Sequence, residues 1–168
     1  MFRKFVSAIF KPKFVYRYIV KSKAKKCGND LSVNGLSTVN ANTYLGDNVN
    51  FNGIKITGKG RCDIGDNFHS GTNCQIMTDY HNYDAGSRIP YDNTVIIKDV
   101  KIEDNVWLGN NVIILPGVTL GEGCVIQAGS VVVNDIPQMA VAGGHPAKVF
   151  KMRDIEHYIK LKEQKIFF

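Results

Sequence analysis

What this sequence lacks narrows its function before any motif does. Its four cysteines, Cys27, Cys62, Cys74 and Cys124, form no CxxC pair, and none stands at metal-ligand spacing from the four histidines. Neither a disulfide framework nor a structural zinc site is expected, and unpaired thiols suit a reducing compartment. Residues 1–27 contain no acidic residue, yet they hold nine of the 21 Lys and Arg. Residues 28–168, with the other 12 cations and all 15 acids, therefore carry a net −3. The overall charge of +6 belongs to an arm, so it does not predict a nucleic-acid partner for the body. A long unbroken apolar run is also missing. The opening MFRKFVSAIFKPKFVYRYIV is interrupted by Lys11, Lys13 and Arg17, and no small-residue cleavage site follows. This predicts neither a secretory signal nor a spanning helix, and a cytoplasmic location.

What is present is a repeat. Ile102, Leu108, Ile114, Leu120, Ile126 and Val132 fall six apart without a break. Four residues after each of the first five comes a small or β-branched residue: Val106, Val112, Val118, Cys124 and Ser130. A helix would alternate spacings of three and four, and a simple strand would repeat every two. A strict six predicts a short flat strand and a turn, repeated and stacked on neighbours about 4.8 Å away. Gly, Asn and Asp at Asp104-Asn105, Asn110-Asn111 and Glu122-Gly123 tolerate the left-handed backbone of tight corners. The phase also runs through Val33, Val39, Leu45 and Phe51, then resumes after a shift at Ile64, Ser70 and Ile76.

Between Ile76 and Ile102 the phase is lost. Residues 80–98 are polar and aromatic, which predicts a loop protruding from the coil and carrying function. After Val133 the repeats stop, and residues 152–165 form an amphipathic helix candidate able to cover the open end of the coil. Phe2, Phe5, Val6, Ile9 and Phe10, then Phe14, Val15, Tyr18 and Ile19, fit two short amphipathic helices broken near Pro12. These pack on the coil's N-terminal end or lie on an anionic membrane at its inner face. The expected division is a basic arm at 1–28, the coil with its loop at 29–151, and a capping helix within 152–168.

At this point the residues resemble a family. The string IEDNVWLGNNVIILPGVTLGEGCVIQAGSVVVNDIPQMAVAGGHPAKVFK is similar to the hexapeptide-repeat acetyltransferases, a group of galactoside, maltose and serine acetyltransferases and bacterial surface-polysaccharide O-acetyltransferases. The likeness spans residues 30–151. It implies an all-β solenoid, a left-handed parallel β-helix with three hexads per coil, an exception to the right-handed crossover rule. It also implies acetyl-CoA as acyl donor, a homotrimer with active sites between subunits, and no metal. The hexapeptide carbonic anhydrases bind zinc through three histidines, a triad absent here.

The family's catalytic histidine follows an IGDN-type hexad at the start of the extended loop. Ile64-Gly65-Asp66-Asn67 leads to His81 in that position. A sugar hydroxyl is a weak nucleophile at neutral pH, and an imidazole can take its proton and later return one to the CoA thiolate. Asp79 and Asp84 flank His81, and either could orient its ring. Trp107 matches the tryptophan of the family's NVWIG motif, beside the CoA groove or packed between coils or subunits. The resemblance places Gly109, Asn110 and Ala128 along the pantetheine arm, Lys148 and Lys151 near the CoA phosphates, and Asn50 on the acceptor. The implied reaction is acetylation of a sugar hydroxyl in surface-glycan assembly. The alternatives are N-acetylation of a nucleotide-linked amino sugar and a non-catalytic assembly coil.

Overall fold

A six-residue unit buries its aliphatics only when successive units stack, and this chain stacks them by winding. The computed structural model describes residues 13–168. Helix α1 (Lys13–Lys23) leads into a first coil with β1 (Lys26–Cys27) and β2 (Ser32–Gly35). The second coil carries β3 (Thr43–Leu45) and β4 (Asn50–Thr57), and the third β5 (Cys62–Ile64) and β6 (His69–Met77). A hairpin of β7 (Asp79–His81) and β8 (Val95–Ile97) follows. The fourth coil holds β9 (Val100–Ile102), β10 (Trp107–Leu108) and β11 (Ile113–Ile114), and the fifth β12 (Thr119–Leu120), β13 (Val125–Ile126) and β14 (Val131–Val132). A last partial coil ends in β15 (Ala140–Gly144), β16 (Ala147–Met152) and helix α2 (Ile155–Glu163).

The product is a left-handed parallel β-helix of about six turns. Lys101 pairs with Thr119, Trp107 with Val125 and Ile113 with Val131, each 18 residues on, so three hexads make one coil. The first face stacks β1, β3, β5, β9 and β12. The second and third are joined because β4 and β6 run round the edge between them: His69 of β6 pairs with Trp107, and Gln75 with Ile113. All six aliphatics of the unbroken hexad row are at most 1% exposed. The shift after Phe51 has a geometric cause. Coil two is longer, since Leu45 pairs with Ile64 and Ile56 with Ile76, and edge-on rings of Phe51 and Phe68 fill its interior.

Corners repeat as the strands do. Asn48, Asn67 and Asn105 all adopt left-handed φ, and Asn48 donates to the Asn67 side chain as Asn67 does to Asn105, at 2.9 and 3.0 Å. Each bond satisfies an amide that burial between coils would otherwise strand. At the N-terminal end α1 packs on β2 and buries Val20. The proposed helix before Pro12 falls outside the described residues. At the other end α2 begins later than the amphipathic pattern suggested, capped by the Asp154 side chain on the His157 amide. It is β16, antiparallel to β15, that pairs with the last coil strand. Helix α2 instead lies along the corner between the first and second faces, where Tyr158 and Lys162 bond to Glu122. No helix among the described residues is long and apolar enough to cross a membrane.

Candidate active site

The loop leaves the coil at a clamped neck. The Thr78 amide donates to the Thr57 carbonyl at 3.0 Å, and the Lys98 amide to the Thr78 carbonyl at 3.0 Å. Beneath them lies buried Asn40, whose amide nitrogen reaches the Gly58 and Gly60 carbonyls and Thr78 Oγ1. Its oxygen accepts from Asn42 and Thr43, so this polar plug is fully satisfied. Sequence reasoning missed Asn40, which no local pattern marks.

Beyond the neck the chain forms a hairpin in which His81 pairs with Val95. His81 is exposed, and its imidazole stacks on Tyr91 with centroids 4.1 Å apart and planes 17° from parallel. Neither ring nitrogen has a hydrogen-bond partner among the described residues, and Asp84 makes no bond to it. Asp79 is engaged elsewhere: its Oδ2 accepts from the Lys59 amide at 2.8 Å.

A groove of about 450 Å³ runs along the edge between the second and third faces. Trp107, Gly109, Asn110 and Ala128 all line it, together with Gly71, Val125, Gln127, Val141 and Phe150. Close stacking of the coils requires glycine at 109, since a Cβ there would come within 2.5 Å of the Ala128 nitrogen. The Ala128 amide has no acceptor among the described residues, so it is available to a ligand carbonyl. Trp107 is 56% exposed, which excludes packing between coils. The Asn110 oxygen accepts from the Thr72 amide at 2.8 Å, so half of that side chain serves coil stacking. Lys151 pairs with Val141, a wall of the groove, and Lys148 with Gly143. Phe150, 61% exposed between those lysines, was not foreseen as a wall. Only its alternation with Lys151 on an edge strand could have signalled it.

Asn50 shares the second face with Trp107, two rungs away through His69, and accepts a bond from Asn34 at 3.1 Å. His69 itself abuts the Phe168 ring, and burial pushes its pKa down. A second, larger crevice of about 610 Å³ lies between α2 with its tail and the second face, and Trp107 also borders it. The thiols offer no alternative nucleophile. Burial pushes Cys62 and Cys124 up to about 12 and raises Cys74 and Cys27 as well, so all four stay protonated near neutrality.

His81 does not line the groove of its own chain. The hairpin leaves at the edge between the third and first faces, while the groove follows the edge between the second and third. A face five residues wide, about 17 Å, separates them.

Comparison with known proteins agrees with this fold. Residues 92–134 match the family described as bacterial transferase hexapeptide (six repeats). A maltose O-acetyltransferase from Clostridium difficile 630 superposes with a TM-score of 0.66 and 31% identity, over 89% of this chain and 81% of that one. A hexapeptide-repeat acetyltransferase from Vibrio cholerae, solved with acetyl-CoA, superposes with a TM-score of 0.73 and 28% identity, over 89% and 83%. A Schizosaccharomyces pombe relative with a provisional acetyltransferase name is 47% identical over 96 residues, 56% of this chain and 44% of that protein. The chain spans about half the length of the curated relatives it matches.

Proposed function

The chain belongs to the hexapeptide-repeat acetyltransferases, and on that premise we propose that it transfers the acetyl group of acetyl-CoA to a sugar hydroxyl, with His81 as general base. One observation carries the reading: Trp107, Gly109, Asn110 and Ala128 converge on a single groove with apolar walls and an unpaired amide. That arrangement suits a pantetheine arm, whose methylenes need apolar contact and whose amides need backbone partners. Lys148 and Lys151, on the strand that carries Phe150, suit the CoA phosphates. The V. cholerae relative was solved with acetyl-CoA, and the C. difficile relative is named for a sugar acceptor, which supports both substrates.

In the proposed reaction His81 removes the proton of the acceptor hydroxyl as its oxygen attacks the thioester carbonyl. The C–S bond then breaks, and the departing thiolate takes the proton from the imidazolium. No acyl-enzyme forms, in keeping with four protonated thiols. Because groove and His81 lie on different edges, the reading includes a homotrimer in which each groove meets a neighbour's His81. The outward row Met77, Ile113, Leu115, Val131 and Val133 gives the third face apolar surface for that contact. The acceptor is proposed to be a sugar of bacterial surface-glycan assembly, modified in the cytoplasm. Residues 13–28 are read as a cap of the coil, supported by burial of Val20.

The test is CoA release across hydroxyl and amine sugars, comparing wild type with His81→Ala. Loss of the base should lower turnover roughly 10²–10⁴-fold with CoA binding retained. A preference for amine sugars would replace O- by N-acetylation. An undiminished His81→Ala would remove the mechanism, and failure of wild type to bind CoA would favour a structural coil.

A further inference from the structure

A general base must present one unprotonated ring nitrogen to the acceptor, so its plane has to be fixed without spending that nitrogen. Asp79 and Asp84 were the sequence's candidates for that task. Asp79 is committed to the Lys59 amide, and Asp84 makes no bond to His81 among the described residues. What meets the imidazole is a ring, that of Tyr91, nearly parallel and 4.1 Å away.

We infer that Tyr91 is the positioning residue of His81: its phenol face holds the imidazole plane and leaves the unprotonated nitrogen free to take the acceptor proton and return it. This rests on the proposed role of His81 as base. The same aromatic face attracts the imidazolium that exists once the proton has moved, so its contribution grows towards the transition state.

The segment carrying Tyr91 is braced for this purpose by its neighbour. Asp92 accepts from the hydroxyl and amide of Thr94 and from the amide and hydroxyl of Ser87. The Thr94 hydroxyl bond first, with the Ser87 and Thr94 amides, holds the Asp92 carboxyl down to about 2. It remains an ionised acceptor throughout the working pH range. The turn is thus tied on both sides of Tyr91, and the β7–β8 register brings it back beside His81. Tyr91 is itself 47% exposed and outside the hydrophobic core, so replacing it leaves the coil intact.

The test uses the full chain and two readouts. In ¹H–¹³C spectra, His81 is assigned by the imidazole signals that vanish in His81→Ala. Its ring protons should be shielded upfield in wild type and Tyr91→Phe, and should return to the unstacked position in Tyr91→Leu. CoA release, with the best sugar of the panel or with water as acceptor, should show kcat roughly 10-fold lower for Tyr91→Leu at unchanged KM for acetyl-CoA, and rescue by Tyr91→Phe. Unshielded His81 protons in wild type overturn the inference. So does Tyr91→Leu turning over like wild type while His81→Ala is inactive, an outcome that leaves the base assignment standing. His81→Ala as fast as wild type overturns the base and its platform together.

Discussion

Residues 100–132 and residues 79–97 solve opposite problems. In the first stretch every sixth residue is buried, and each strand pairs with a strand of a neighbouring coil. In the second no residue is buried, and the hairpin is held by its own ladder, the Asp92 bonds and a pair of stacked rings. The coil draws stability from area removed from water, spread over many equivalent units. The hairpin exposes the proposed base and holds its ring, using bonds that do not depend on the core. With His81 as the proposed base, stability and chemistry are separable in this chain.

The sharpest way to break that comparison is to remove the hairpin. Replacing residues 81–95 by a short Gly/Ser link, with the Thr78 neck retained, should abolish CoA release by roughly 10²–10⁴-fold. Calorimetry should show the coil still melting cooperatively near the wild-type temperature. Collapse of the fold would mean that the hairpin is part of the core.

The reciprocal change is Ile114→Ala, which empties a fully buried position on the third face. It should cost about 2–5 kcal/mol in denaturant unfolding. The upfield signals of His81 should stay where they are.

A smaller effect should appear at the corner held by α2. Burial pushes the Glu122 carboxyl up, but bonds from Lys162 and Tyr158 outweigh it, and its pKa falls below the ordinary 4.5. A carboxyl lowered by folding adds stability above its unfolded pKa, and this is lost as pH falls through the folded value. Amide exchange in α2 should accelerate below about pH 4 in wild type. Glu122→Gln should remove that dependence, and exchange in residues 107–115 should be unaffected in both.

Much of the coil was legible because burial and sequence share one period. Ile102 to Val132 lie inside as the sixfold row required, and the left-handed corners at Asn105, Asn111 and Gly123 occur where turn-forming residues stood. The interruption between Ile76 and Ile102 marked the hairpin. Less was legible where partners are distant in sequence. Asn40 meets Thr78 across 38 positions, and the second-coil residues that shift the phase matter only through the coil above. Asp79 looked like a neighbour of His81, yet its carboxylate caps a turn 20 residues earlier.

By itself the sequence determined the repeat, the hexads' inward rows and the place of the loop. Each of these follows from local periodicity or from one motif, and needs no knowledge of what lies opposite. Only the tertiary structure decided that the groove and His81 occupy different edges and that Phe150 walls the groove. It alone placed α2 along a corner and a tyrosine rather than a carboxylate against the imidazole. Those outcomes depend on which residues of separate coils and turns come within a few ångströms. A six-residue period describes how a coil is built, not what its loops and ends fold back to touch.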